Sequence, residues 1–600
     1  MNKRFNCLDV LKAIAIVAVV LYHAGFCHFG YLGVDIFLVV NGYLLAGSFS
    51  RLDSIGGGYN FLVKRLLRLW PLVIVASLAC LAWGSWWMLP DDYEGVAQDV
   101  VATNLWANNI LMSIKSSDYW AVKNEFKPLM HTWYLGILVQ FYIAFAALMI
   151  IAKKLIKSKR DITIHIVGVC FIVSLILFLL PNYGMTAKFY YLPFRVFEFC
   201  AGCWVALWLK NHSVKFIEAK SWAWAIVGYV LVLVLLFWNG KQIPANVKLL
   251  LTVLLTCLLL VCLPYVGAKV DAVVSNKWVA LIGRCSFSIY IWHQIVFAFC
   301  RYSFTSEFTV GVFTLLLLIT AALSVLSYKF VEQGVTNAMA TPKGKKRVMI
   351  GTGVGTAVCL GISMLLYLQA GVIRDVPELD TYKGKAFRGM HIAYNENARR
   401  FDKDFESEDK LHWVVVGDSY GRDWTNVLAE AGISDEVEVR YIYENDSKKE
   451  SSIERLRKAD MIFFTTSVIP DDRRLNNFLG VLNGNGISTD HLRVVGSKLY
   501  GVCNGQIYAH HKDAGYFDAT VEIGEEYFTK NEEFKAQWGE RYIDMVTPVS
   551  AGGNKVRVFS DDHKFISQDC EHFTQGGAKY YARLLKPVIL TMIEDCKTKL

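Results

Sequence analysis

Charged residues are scarce in this chain. Asp, Glu, Lys and Arg make up 19% of its 600 residues, whereas 54% are hydrophobic and 14% are aromatic. This composition excludes a wholly soluble protein. The first apolar run, Leu11–Ala24, is followed by no Ala-x-Ala type cleavage site and at once by a second run. We therefore predict a retained membrane span there rather than a signal peptide.

Long apolar runs are also missing from the last 230 residues. Up to Leu368 they recur at roughly 17–22 residues each, close to the length that crosses a bilayer as a helix. From Gly371 onward the chain has 31 Lys and Arg against 38 Asp and Glu, and before it 31 against 15. The basic excess lies in short loops between apolar runs, so it indicates membrane orientation and lipid contact rather than nucleic-acid binding.

The runs predict a bundle of eleven helical spans. With the N-terminus in the cytoplasm, the loops on that side hold 20 basic residues and the opposite loops hold 6. The positive-inside rule then places the acidic tail outside the cytoplasm, since the number of spans is odd. The spans are expected near residues 11–27, 31–49, 69–88, 131–152, 162–180, 190–208, 222–238, 247–263, 279–299, 309–328 and 348–368.

The tail alternates strand and helix patterns. His412–Val416, Met461–Thr465 and Leu492–Val495 are short runs rich in β-formers, separated by helical stretches. This order is typical of a parallel sheet with crossover helices, an α/β domain. Its Cys503, Cys570 and Cys596 allow at most one disulfide within the tail. The predicted organisation is a membrane bundle over 1–335, a basic loop and last span over 336–370, a linker over 371–410 and the α/β domain over 411–600.

Ionisable residues inside apolar spans are costly to bury and are therefore candidate functional groups. Arg195 and Glu198 are three positions apart, so they are expected to pair on one helical face. Each single His has the alternative of a hydrogen-bonded structural role. The full set of candidates in the spans is Lys12, His23, Asp35, His131, Arg195, Glu198 and His293.

A series of short motifs extends over some 330 residues of the membrane part. The motifs are Leu8-Asp9, Lys12, Tyr22-His23, Gly33-Val34-Asp35-Ile36-Phe37, Asn41-Gly42-Tyr43-Leu44, Lys64 to Pro71, His131-Thr132-Trp133, Gln140-Phe141-Tyr142, Arg195-x-x-Glu198, Ser286 to His293 and Ser327 to Glu332. In this order they resemble the membrane acyltransferase 3 family. The resemblance implies transfer of an acyl group, usually acetyl, from cytoplasmic acyl-CoA to extracytoplasmic carbohydrate.

The resemblance also assigns roles. The family's essential basic residue and His map to Lys12 and His23. The usual residue at the first position is Arg, and Lys12 keeps the charge but lacks the planar fork that binds phosphate bidentately. Leu138-Val139 stand where many members carry two acids, so no catalytic carboxylate is expected there.

A compact basic cluster follows the second span. Lys64, Arg65 and Arg68 offer cations to the phosphates of CoA, with Arg65 and Arg68 on one helical face. The alternative is an ordinary positive-inside flank of a span. His23, as a neutral imidazole, is the candidate general base or transient acyl acceptor.

Two motifs stand at opposite ends of the tail. The first is the apolar run Val414–Val416 leading into Gly417-Asp418-Ser419, and the second is Asp569-x-x-His572. Together they resemble the SGNH, or GDSL-like, hydrolase family. The resemblance implies Ser419 as nucleophile, His572 as base and Asp569 as the residue that orients the base. His563 is a rival base. Asn485 and Asn504 are candidates for the oxyanion hole, and Cys570 is expected to be packed or disulfide-bonded.

The sequence thus predicts an enzyme of the bacterial cytoplasmic membrane with no bound cofactor or metal. Acetyl-CoA is the expected donor, and the expected acceptor is a hydroxyl of O-antigen, capsule, exopolysaccharide or peptidoglycan. The alternative is a transporter or lipid-binding bundle fused to a carbohydrate acetyl esterase.

Overall fold

The computed structural model describes residues 6–49, 51–52, 54–117, 124–156, 162–210, 212, 215–238, 243–265, 276–380, 390–465 and 472–599. The chain forms two compact units, Met1–Gly84 with Gly95–Leu365 and Ser85–Glu94 with Leu366–Leu600. Several of the basic residues used to orient the spans lie outside the described ranges. They are Lys3, Arg4, Lys123, Lys157, Lys159, Arg160, Lys241 and Lys269.

The first unit is helical. Each predicted span overlaps an α-helix, and the spans at 190–208 and 279–299 each overlap two. A π-helical stretch, Ser327–Glu332, interrupts the last part of the bundle. The helices are Asn6–His23, Gly33–Phe49, Ile55–Trp87, Pro90–Asn104, Asn108–Ser117, Trp133–Ile156, Thr163–Leu179, Met185–Tyr190, Val196–Leu209, Lys215–Phe237, Ala245–Cys262, Lys277–Arg284, Ser286–Ser303, Val310–Leu326, Gln333–Ala338 and Pro342–Leu368.

Not all of these helices are long enough to cross a membrane alone. Among the described residues six stretches are, and a seventh counts if two helices bent by 71° form one span. Others, such as the 17-residue helix Thr163–Leu179, are apolar but short, since 17 residues reach only about 26 Å. The eleven predicted spans are therefore not confirmed, although the apolar helices are those of a membrane protein. The six stretches are Gly30–Phe49, Ile55–Trp87, Met130–Ile156, Ala245–Cys262, Val310–Ala338 and Pro342–Leu368.

Two glycines allow close contact between the helix that carries Asp35 and the helix that carries Glu198. A Cβ on Gly42 would lie 1.9 Å from the carbonyl oxygen of Phe199, and one on Gly202 would lie 1.9 Å from that of Val39. Only glycine permits such close contact between the helices Gly33–Phe49 and Val196–Leu209. This contact sets the helix of Asp35 directly against that of Glu198.

The strands of the second unit are β1 Leu411–Gly417, β2 Val437–Tyr443, β3 Met461–Thr465, β4 Leu492–Val495, β5 Thr520–Glu522, β6 Tyr542–Ile543, β7 Ser550–Gly552 and β8 Lys555–Arg557. Five of them form a parallel sheet in the order β2-β1-β3-β4-β6. Alternate residues of β1 enter apolar layers on opposite faces of this sheet, Trp413 and Val415 on one and Val414 and Val416 on the other. A small antiparallel sheet has the order β5-β8-β7.

Helices accompany this sheet, and the predicted α/β class of the tail is confirmed. The chain after His572 forms two successive helices, Gln575–Leu584 and Lys586–Lys599, because Pro587 has no N–H for the preceding turn. The predicted linker 371–410 contains the helix Met390–Asn397, so part of it is ordered against the domain. The other helices are Ser419–Glu430, Glu450–Arg457, Asp472–Gly484, Asn504–Tyr508 and Glu525–Trp538.

Candidate active site

Ser419 lies at the carboxyl end of β1, where the strand turns sharply into the helix Ser419–Glu430, called the serine helix below. A Cβ on Gly417 would lie 1.9 Å from Thr465 Oγ1, so the turn requires glycine at this position. Asp418 caps the helix by accepting a hydrogen bond from the N–H of Tyr420 at 2.9 Å. This turn presents a serine hydroxyl at the edge of a sheet, as a nucleophile needs.

Tyr441 on β2 holds the turn before Ser419 through its side-chain hydroxyl. Burial raises the pKa of Tyr441 to about 12, so its hydroxyl remains protonated. It donates to the carbonyl oxygens of Gly417 and Asp418, at 2.9 and 3.1 Å. Both peptide groups immediately before Ser419 are thereby held.

The loop before the helix Gln575–Leu584 carries the acid and the base. Asp569 Oδ1 accepts hydrogen bonds from the N–H groups of Glu571 and His572, at 3.0 and 2.8 Å, and from Ser567 Oγ at 3.1 Å. Cys570, which lies between Asp569 and Glu571, adopts a left-handed conformation with φ of 75°. The tight turn directs Asp569 Oδ2 toward the imidazole of His572.

The structure brings the three predicted residues together. His572 Nδ1 lies 2.7 Å from Asp569 Oδ2, and His572 Nε2 lies 2.9 Å from Ser419 Oγ. His572 is fully buried and Ser419 is 5% exposed. With its Nδ1 proton donated to the carboxylate, the imidazole can accept the serine proton at Nε2, which is the arrangement of a nucleophile, base and orienting acid.

The other tail candidates make different contacts. The ring of His563 stacks on that of Phe517 at 4.1 Å, at an exposed position. Asn485 donates its amide to the carbonyl oxygen of Val481, and Asn504 donates to that of Ser567. Burial raises the pKa of the Cys570 thiol well above its usual value, so this thiol is a packed neutral group.

In the bundle, the rings of the three predicted histidines are close neighbours. The ring of His293 lies 5.2 Å from that of His23 and 5.4 Å from that of His131. His23 and His131 line a cavity of about 550 Å³, called the histidine cavity, together with Arg301. Arg301 Nη2 donates to the carbonyl oxygen of His23 at 2.6 Å and so fixes the end of the first helix.

Arg195 binds two carboxylates in the interior of the bundle. Its Nη2 lies 2.6 Å from Asp35 Oδ1 and its Nε lies 3.2 Å from Glu198 Oε1. The predicted pairing of Arg195 with Glu198 is therefore present, and Asp35, which is distant in sequence, joins it. All three side chains are at most 2% exposed, and Arg195 also lines the histidine cavity.

The basic residues predicted to bind the donor line a second space. Lys12, Arg65 and Arg68 surround a cavity of about 180 Å³, called the basic cavity, and Lys64 lines an adjoining groove of about 710 Å³ with the same two arginines. Lys12 Nζ lies 3.4 Å from Asp9 Oδ1. The structure therefore groups these four residues and separates them from His23.

Two lining residues were not singled out from the sequence. Arg284 adds a further cation to the basic cavity, and Tyr290 lines both the basic and the histidine cavities. Gly283 places Arg284 near Lys12, since a Cβ there would lie 1.9 Å from the carbonyl oxygen of Asp9. Only their positions relative to a motif could have identified them from the sequence, because Arg284 precedes the Ser286–His293 motif and Tyr290 lies inside it. In the described part of the chain, no group of three or more His, Cys, Asp or Glu side chains is arranged to hold a metal.

Comparison with known proteins bears on the first unit. The profile of the acyltransferase 3 family, described as an acyltransferase domain, matches residues 5–329. The O-acetyltransferase OatA of Staphylococcus aureus (strain NCTC 8325 / PS 47) is 27% identical over 347 residues, which is 54% of this chain and 56% of that protein. A protein of Staphylococcus aureus (strain COL), provisionally named an O-acetyltransferase, is 27% identical over 340 residues with the same coverage.

The match thus spans little more than half the length of these relatives. No solved structure matches the chain. The profile covers more than half of the 600 residues and includes every residue that lines the histidine cavity and all but Glu332 of those that line the basic cavity. The chain therefore belongs to the acyltransferase 3 family.

Proposed function

We propose that this protein is an O-acetyltransferase that moves an acetyl group from cytoplasmic acetyl-CoA to a hydroxyl of an extracytoplasmic glycan. The observation that carries the proposal is the Ser419–His572–Asp569 geometry in a chain whose residues 5–329 match an acyltransferase family. A donor site and an acyl-accepting serine are the two parts that such a transfer needs. The likeness to O-acetyltransferases of Staphylococcus aureus supports acetyl as the group.

The donor binds on the cytoplasmic side, at the basic cavity and its groove. CoA carries several phosphate charges, which Arg65 and Arg68 attract where the two spaces meet. The cavity of about 180 Å³ is too small for the nucleotide but suits the thin pantetheine arm with its thioester. Lys12 and Arg284 supply positive charge along that arm. The excess of basic residues in the loops on this side supports the same orientation.

The histidine cavity is the place where the acyl group leaves its carrier. Tyr290 is common to both cavities, so the thioester end of a donor in the basic cavity points toward the histidines. His23 is the acceptor or general base, and the nearby ring of His293 orients it. Arg195, held by Asp35 and Glu198, forms part of the wall of this cavity.

The tail receives the group and passes it on, in the manner of an SGNH-like domain. Ser419 Oγ attacks the acyl carbonyl carbon while His572 Nε2 takes the hydroxyl proton, and the departing carrier takes that proton up. A glycan hydroxyl then attacks the acyl-serine, its proton passes to His572, and Ser419 regains a hydroxyl on release. Asp569 stabilises the imidazolium in both halves. Water in place of glycan gives the esterase alternative with the same residues.

Complementation of a deletion strain tests the proposal. The strain receives the wild-type gene, the Arg65→Ala/Arg68→Ala variant or a matched control, Lys346→Ala/Arg347→Ala, which removes two cations from a helix outside both cavities. Base-labile acetate on envelope polysaccharide is then measured at equal protein level. We expect acetate to be lost in the deletion and in the cavity variant and restored by the control. Acetate at the parental level in the deletion strain would refute the proposed function.

A further inference from the structure

A buried ion pair lies behind the serine turn. Lys498 Nζ is 2.7 Å from Asp423 Oδ2, and the two side chains are 3% and 1% exposed. Buried ion pairs often add little to stability relative to apolar residues of the same volume, because both charges lose their water. The contacts of this pair are therefore informative about a different role.

Asp423 lies on the serine helix, one turn after Ser419. Its Oδ1 accepts a hydrogen bond from Asn395 Nδ2 at 2.7 Å, and the same amide donates to the carbonyl oxygen of Ser419 at 2.8 Å. Its Oδ2 accepts from the N–H of Phe573 at 3.1 Å. One carboxylate thus links the nucleophile turn to the residue directly after the base.

Lys498 makes the matching contact on the other side of the base. Its Nζ donates to the carbonyl oxygen of Glu571 at 2.5 Å, directly before His572. The ammonium also lies over the rings of Tyr420 and Phe573, at 4.2 and 4.5 Å. Aromatic faces on two sides and two oxygen acceptors fix its place.

We propose that Lys498 is a positioning residue of the serine site. With Asp423 it holds the peptide groups on both sides of His572 and so sets the 2.9 Å between His572 Nε2 and Ser419 Oγ. Lys498 takes no part in proton transfer. The inference rests on the proposed function, since it concerns the same serine.

The test measures how fast Ser419 reacts with a fluorophosphonate probe in the full-length protein in membrane vesicles. Loss of the cation in Lys498→Met lets the loop that carries His572 shift. A misplacement of about 1 Å lowers reaction rates by about 100-fold. We expect at least a tenfold lower labelling rate, and with p-nitrophenyl acetate a lower kcat at unchanged KM. Arg455→Met is the control, because Arg455 is another buried cation of the tail, bonded to Asp402 at 2.8 Å. It is expected to lower thermal stability without lowering the labelling rate of the folded protein.

A second variant covers the case in which Lys498→Met does not fold. Lys498→Gln keeps an N–H donor without the charge, and we expect a labelling rate between those of wild type and Lys498→Met. Wild-type labelling in Lys498→Gln, or in folded Lys498→Met, would overturn the inference. Equal labelling of wild type and Ser419→Ala would instead show that another residue reacts, and the serine step of the proposed function would fail.

Discussion

Replacing Asp569 with Asn separates the two functions of this carboxylate. Asp569 Oδ1 holds the turn by accepting from two backbone N–H groups, and an Asn Oδ1 can do the same. The amide Nδ2 then takes the place of Oδ2, 2.7 Å from His572 Nδ1. Because Nδ2 is a donor, Nδ1 must become the acceptor and the proton moves to Nε2. The Nε2 atom of His572 then carries a proton and has no lone pair that could accept the Ser419 proton.

The expected loss follows from this change of tautomer. Wrong-tautomer variants of serine triads lose about 10⁴-fold in kcat, which corresponds to about 5.5 kcal/mol of transition-state stabilisation. The assay is hydrolysis of p-nitrophenyl acetate by the full-length protein in vesicles, with melting temperature as a second readout. We expect a large fall in kcat with a nearly unchanged melting temperature.

The matched control is Asp561→Asn, because Asp561 is an exposed carboxylate of the same unit that pairs with Arg557 at 2.9 Å. It is expected to keep full kcat. A fall of less than tenfold in Asp569→Asn, with the turn intact, would refute the assignment of Asp569 as the orienting acid.

Three further predictions concern stability and orientation. Arg195→Met leaves the buried Asp35 carboxylate without its cation, so we expect about 3–5 kcal/mol lower stability in detergent unfolding, and an unchanged unfolding midpoint would contradict this. Burial raises the pKa of Asp544, but hydrogen bonds from Thr547 and its neighbours outweigh burial and leave the pKa below its usual value. Its stabilisation is therefore present above about pH 4 and lost as the pH falls through the lowered pKa, so the melting-temperature difference between wild type and Asp544→Asn should shrink in acid; a constant difference would count against it. Alkaline phosphatase fused after Leu600 should be active and a cytoplasmic reporter inactive, and the reverse result would invert the proposed topology.

The strands that could be predicted from the sequence were the interior ones. β1 and β3 are largely apolar because both faces of the sheet are covered, and β4 is apolar except for Arg493. The bounds of all three agree with the predictions to within one residue at each end. β2 was missed because it is an edge strand in which Glu438 and Arg440 interrupt the apolar run. An edge strand needs fewer apolar residues and so gives a weaker pattern.

The candidate site was predictable only where its residues form local motifs. Ser419 belongs to one motif and Asp569 with His572 to another, so the sequence named them without any knowledge of packing. Lys498 and Asn395 belong to no motif, and only the folded chain brings them to the serine helix. The histidines of the bundle do belong to motifs, but only the folded chain brings their rings together, because they lie on different helices.

In the proposed function, the acyl group passes from acetyl-CoA through the bundle to Ser419 and then to glycan. The most direct measurement supplies labelled acetyl-CoA to inside-out vesicles and follows the label on envelope polysaccharide in wild type, Ser419→Ala and His23→Ala. We predict that Ser419→Ala stops glycan labelling but retains part of the acetyl-CoA consumption through leakage to water, and that His23→Ala stops both. Glycan labelling at the wild-type rate in Ser419→Ala would contradict the account and favour a bundle fused to an esterase.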